Sequence, residues 1–182
     1  MDSTWGADAT GEHADNLPAA MGVAWAYKTG TPGIPWSPDQ VDRIAASGHV
    51  YTIDQGFGSK GPFDADEFDL EARAWTVPEL IDVIAARAEK RWSTRIYCSK
   101  IPYGMMMGAL AAAGLLHLPV FFRIADWSLS EEQARATLGG NVYAKQWASP
   151  TSNPQTLVPG TDLTLEQAQC DLNVVRLMNT GW

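Results

Sequence analysis

The feature that most constrains this fold is a regular alternation of short strand-like and helix-like runs along the 182 residues. Runs rich in β-branched and aromatic residues fall at 22–28 (GVAWAYK), 49–54 (HVYTID), 66–71, 94–98 (TRIYC), 120–125 (VFFRIA), 142–147 (VYAKQW) and 172–175. An eighth, short run falls at 1–4. Between them, Ser37-Pro38-Asp39 caps a helix through about residue 46, and 103–113 reads as a buried helix ending at Gly114. Residues 130–137 form another, opening on Ser130 followed by Glu131 and Glu132. The clearest helix opens at Thr76-Val77-Pro78-Glu79, with Thr76 as N-cap and an apolar stripe of Leu80, Ile81, Ile84, Ala85 and Ala88. Lys90 and Arg91 suit its C-terminal end. Such alternation predicts an α/β fold with a parallel sheet and helices outside. Eight strands close a small (β/α)8 TIM-like barrel, a single domain over 1–182 with some helices shortened to loops. The alternative is an open doubly wound sheet. No G-x-G-x-x-G turn follows the first strand, which weakens a nucleotide-binding version.

Composition narrows the partners. Hydrophobic residues make up 46% and charged residues 19%, enough to bury a core. A net charge of -8 argues against nucleic acid, whose phosphates want clustered Lys and Arg, and against a polybasic membrane contact. The most apolar stretch, 105–118, is too short to span a bilayer. The start of the chain lacks a basic segment followed by an apolar one, so no signal peptide is expected and synthesis is cytoplasmic. Cys98 and Cys170 make no metal pattern. A small buried thiol accounts for Cys98, while a Cys98–Cys170 bridge stays open.

Chemistry concentrates in 68–76 (FDLEARAWT), just ahead of the clearest helix. Residues two apart on a strand share a face, so Asp69 and Glu71 project together at a strand's C-terminal end. Glycoside cleavage needs a carboxylic acid at the leaving oxygen and a carboxylate near the developing cation. Other strand ends carry Asp2, Lys28, Asp54 with Gln55, Ser99, Asp126 with Trp127, Gln146 with Trp147, and Asp171. A barrel mouth would gather these into one cleft suited to a sugar. Carboxylates serve acid–base work, indole faces meet apolar sugar faces, and amides meet hydroxyls. Lys28, Asp126, Trp127, Gln146, Trp147 and Asp171 are candidate substrate contacts. Each also has a plain structural role open to it: Asp126 as a helix cap, Trp127 and Trp147 as rim packing, Asp171 as an acceptor for backbone amides. A shared hard cation on Asp54, Asp69 and Asp171 is a weaker reading, because His13, His49 and His117 are scattered. No metal or other cofactor is expected.

The order Met1-Asp2-Ser3, 22–28, Ile34-Pro35-Trp36-Ser37, 50–55 (VYTIDQ), FDLEARAWT, 95–99 (RIYCS), Ala125-Asp126-Trp127, 144–148 (AKQWA) and 170–175 (CDLNVV) resembles the glycoside-hydrolase-like barrel of actinobacteriophage proteins. Those are often labelled minor tail proteins and are distantly similar to Chalaropsis-type muramidases. The D-x-E element and the final D-L-x-V-V carry the resemblance most specifically. It implies that Glu71 is the acid, with Asp69 as its strand partner, Asp2 as the first-strand carboxylate, Asp54 at the third-strand position and Asp171 on the last strand. It also implies a virion protein that binds or cleaves cell-wall polysaccharide and contacts other virion proteins. The alternative is a non-catalytic structural virion protein that reuses the barrel for subunit contacts.

Overall fold

The computed structural model describes residues 3–29, 35–56, 61–71 and 74–176. Among them, eight strands close one barrel in chain order. They are β1 (Ser3–Ala9), β2 (Val23–Thr29), β3 (His49–Asp54), β4 (Glu67–Asp69), β5 (Thr94–Ser99), β6 (Val120–Ala125), β7 (Val142–Ala148) and β8 (Cys170–Arg176). The helices are α1 (Pro38–Ala45), α2 (Val77–Glu89), α3 (Lys100–Ala112), α4 (Glu131–Ala136) and the four-residue α5 (Leu165–Ala168). The closed α/β barrel is as the alternation predicts, and the open doubly wound sheet is not formed.

The sheet departs from the all-parallel pattern at one strand. β1 to β7 run parallel, while β8 is antiparallel to both β7 and β1. A parallel return needs a crossover that carries the chain back along the barrel. The link from β7 to β8, residues 149–169, contains only α5 as helix, and β8 starts at the end where β7 finished. The inversion sets the place of Asp171. Its register partner is Asp8 near the C-terminal end of β1, so Asp171 reaches the mouth from the start of its strand.

Period-two alternation sorts side chains into two outer cores and a barrel interior. On β6, Val120, Phe122 and Ile124 face outward into a cluster with Leu80, Val83 and Ile84 of α2 and Met106 and Leu110 of α3. Full burial of each such side chain stabilises the fold by roughly 1.5–3 kcal/mol. A second outer core joins Ala7 and Ala9 of β1, Leu172 of β8, Ile44 of α1, Leu165 of α5 and Trp36. Cys98 belongs to the first cluster and Cys170 to the second, and both are free, buried thiols.

Local signals explain the helices. Thr76, Ser37, Ser130 and Thr164 each close a capping box at a helix start. Inside the barrel, Gly6 makes room for the Trp25 indole: a Cβ there would lie 2.8 Å from both the ring and the Val23 carbonyl.

Candidate active site at the barrel mouth

Two layers of polar side chains fill the upper barrel. The lower is an ion-paired waist. Arg123 is wholly buried between the faces of Trp25 (4.5 Å) and Tyr97 (4.2 Å). Its Nε and Nη2 reach Glu67 Oε1 at 2.8 and 2.7 Å, and its Nη1 lies 3.1 Å from Asp8 Oδ2. The Tyr143 hydroxyl donates to Glu67 Oε2, and Trp25 Nε1 donates to the Tyr143 hydroxyl at 3.2 Å. Burying three charges costs several kcal/mol each unless they are paired, and here each is in an ion pair, with Arg123 Nε also donating a hydrogen bond to Glu67.

The upper layer is the mouth, reached by the C-terminal ends of β1 to β7 and the start of β8. Asp8 Oδ1 accepts from Asn173 Nδ2 at 2.9 Å and from Gln146 Nε2 at 3.3 Å. The Tyr27 hydroxyl lies 3.5 Å from Asp8 Oδ2. This set of donors, with Arg123 below, suits a carboxylate anion. Gln146, fully buried, ties the layer together: its Oε1 accepts from the Tyr97 hydroxyl at 2.6 Å and its Nε2 donates to Asp171 Oδ2 at 2.7 Å. Asp69 Oδ2 accepts from Gln55 Nε2 at 3.3 Å. Asp69 Oδ1, Gln55 Oε1 and Asn173 Oδ1 are buried acceptors without a protein donor among the described residues.

The electrostatics favour protons here. Burial pushes Asp69 up to about 7, helped by Glu71 and opposed by the Gln55 hydrogen bond and Arg123. Burial and the neighbouring Asp8 push Asp171 up to about 8, against Arg123. Glu71 lies just past β4; the residue is exposed, but its carboxyl is desolvated enough to raise its pKa, against the opposing pull of the Tyr97 hydroxyl and Arg123. Burial holds the Tyr27 and Tyr97 phenols well above their ordinary value, so both remain donors.

The sequence-based candidates divide. Asp69, Glu71, Gln146 and Asp171 meet at the mouth. Asp54 is buried, but its neighbour Ile53 packs inside with Trp25 and Tyr143, so Asp54 belongs to the opposite face. Its Oδ1 accepts the Gly56 amide at 2.6 Å. Asp126 is held by Lys100 Nζ at 2.8 Å and by Ser128 Oγ at 2.6 Å. Burial alone would raise its pKa, but these bonds outweigh it and keep it below the usual carboxylate range. Trp127 beside it is 45% exposed and free to meet a ligand. Trp147 packs instead against the outer core. Asp2 lies outside the described residues, and of Lys28 only the backbone within β2 is described.

Three charged site residues, and the Asn173, Tyr27, Tyr97, Trp25 and Tyr143 side chains that bond or stack with them, escaped the sequence reading. The carboxylate at the end of β1 is Asp8, because β1 runs to Ala9 rather than stopping at residue 4. Glu67 shares a strand face with Asp69, which the period of two already signals. Arg123 sits in the apolar run VFFRIA, where a lone cation between hydrophobic residues predicts a buried ion pair. Among the described residues, no group of three or more His, Cys, Asp or Glu is placed to hold a metal ion. No family model, no curated protein and no solved structure matches this chain.

Proposed function

We propose that this chain is a phage virion protein of the minor-tail kind, whose barrel mouth binds and cleaves host cell-wall glycan as a muramidase-like glycosidase. The barrel then derives from the (β/α)8 plan with its last strand reversed. The observation that carries the reading is the convergence of Asp8, Asp69, Glu71 and Asp171 on one mouth, where Asp8 faces Arg123 and burial raises the pKa of the other three. A carboxyl whose pKa is raised by burial can hold a proton for acid catalysis nearer neutral pH.

Glu71, with its raised pKa and open approach from solvent, donates its proton to the glycosidic oxygen as the bond to the anomeric carbon breaks. Asp8, which faces Arg123, stands in place of Asp2 as the first-strand carboxylate and stabilises the developing cation. Asp69 and Asp171 orient the N-acetyl group or the attacking water. Buried acceptors at Asp69, Gln55 and Asn173 that find no donor among the described residues suit a ligand rich in hydroxyl donors. Trp127 offers an indole face at the rim.

The test is soluble muropeptide release from purified actinobacterial peptidoglycan. Wild type is expected to release fragments, and Glu71→Gln to lose at least about 100-fold, the usual scale of general-acid catalysis. Full activity in Glu71→Gln would remove Glu71 from the acid role.

One observation favours the non-catalytic alternative. The outer face of α3 exposes Ile101 (78%) and Met105 (60%), an apolar surface suited to subunit contacts in a particle. No release by a folded wild type, together with copies assembling through that face, would favour this reading.

A further inference from the structure

A cavity of about 540 Å³ opens at the end of the barrel opposite the carboxylates. Asp66, Ser93 and Pro119 line it, and they stand just ahead of β4, β5 and β6, which places it at the strand starts. Its size falls in the roughly 300–1,000 Å³ range of ligand sites.

One wall is aromatic. Trp92 and Phe63 are 49% and 41% exposed and meet edge to face at 5.3 Å. Trp92 is presented by the C-terminal turn of α2: its N–H donates to the Arg87 carbonyl at 3.0 Å, and the Arg91 N–H donates to the Ala88 carbonyl at 2.9 Å. That turn needs a left-handed residue, normally glycine, yet Arg91 occupies it at φ 60° with its side chain on the cavity.

The floor is rigid. Arg87 donates to the carbonyls of Ser93 (2.9 Å), Pro62 (3.0 Å) and Ala65 (3.0 Å), fastening the approach to β4 onto the end of α2. Asp66 Oδ2 accepts from the Thr52 amide at 2.9 Å and its hydroxyl at 2.8 Å. Indole and phenyl surface stands beside guanidinium, carboxylate and hydroxyl groups already held in place.

We propose that this cavity is a saccharide-binding site, separate from the mouth, in which a sugar ring lies against Trp92 and Phe63 while Arg91 and Asp66 bind its hydroxyls. A ring with one apolar face and an equatorial belt of hydroxyls matches this wall. The core of a protein interface is depleted of aspartate, which this cavity carries. The site does not depend on whether the mouth is catalytic.

The test is a ¹H–¹⁵N titration of the full chain with chitotetraose and with cellotetraose, following the Trp92 indole N–H peak, identified by its loss in Trp92→Ala. Saturable movement with a Kd of about 1 mM, equal in wild type and Glu71→Gln, is expected for one or both sugars. Arg91→Gly should weaken binding at least about fivefold while keeping or raising Tm, since glycine relieves the left-handed turn. A Trp92 peak that stays still into the tens of millimolar, or shifts confined to mouth residues, overturns the proposal. A response to a hexaproline peptide and to neither sugar assigns the surface to a protein partner and also overturns it.

Discussion

The waist and the mouth of this barrel use the same residue types to opposite ends. In the waist, Glu67 and Arg123 are fully enclosed, and their charged atoms meet each other, Asp8 or Tyr143. In the mouth, one turn of the strand pattern higher, Asp69 and Asp171 make no ion pair among the described residues and are pushed toward holding protons near neutral pH. Asp8 belongs to both layers, bound to Arg123 from below and to Asn173 and Gln146 at its own level. A carboxylate becomes structural or chemical according to which neighbours fill its hydrogen bonds.

The sharpest way to break this contrast is to remove the cation. Arg123→Met leaves Glu67 and Asp8 facing each other in the interior, and is expected to cost about 3–5 kcal/mol in urea unfolding or to prevent folding. A loss under about 1 kcal/mol would mean that the waist is not an ion lock. Glu67→Gln keeps the shape and one hydrogen-bonding oxygen, so about 1–3 kcal/mol is expected by the same measurement.

The mouth should respond in the other direction. The folded-state values of about 7 for Asp69 and about 8 for Asp171 lie above the ordinary 3.8. Between roughly pH 4 and 8 the folded chain therefore holds more protons than the unfolded chain. The stability these two groups carry is full below that window, falls through it, and is lost above it. Asp171→Asn, which cannot ionise and still accepts from Gln146, should raise stability by about 1–3 kcal/mol at pH 8 and change little at pH 4. Equal effects at both pH values would show that Asp171 loses no more on ionising when folded than when unfolded. The smallest expected effect is a control outside both layers. Thr76→Ala removes the cap of α2 and should cost about 1 kcal/mol, with no pH dependence between 6 and 8.

Much of the scaffold was legible because local signals agreed with the fold. Thr76-Val77-Pro78-Glu79 and Ser37-Pro38-Asp39 mark the starts of α2 and α1. VFFRIA is the strand β6 as expected, with Phe122 and Ile124 facing outward and Arg123 inward. β1 was misplaced because its sequence, STWGADA, is rich in small residues; Gly6 is there to admit Trp25, a tertiary reason that leaves no strand signal. That error hid Asp8. The direction of β8 has no local signature either, since CDLNVV packs equally well whichever way it runs. Counting Asp171 among the C-terminal strand ends misplaces it: it stands at the start of β8, and the inverted strand is what brings it to the mouth. Asp54 failed for the opposite reason: its strand was read correctly, but its phase turns it away from the interior. The same phase error put Trp147 in the groove, whereas it packs against the outer core.

The central claim is that the mouth holds protons where the waist holds charge. Side-chain carboxyl ¹³C NMR titration of the folded protein tests it most directly. The account predicts Asp69 titrating near 7 and Asp171 near 8, with both midpoints falling when Glu71→Gln removes a neighbouring charge. Both resonances titrating near the ordinary 3.8, in a chain still folded, would contradict it.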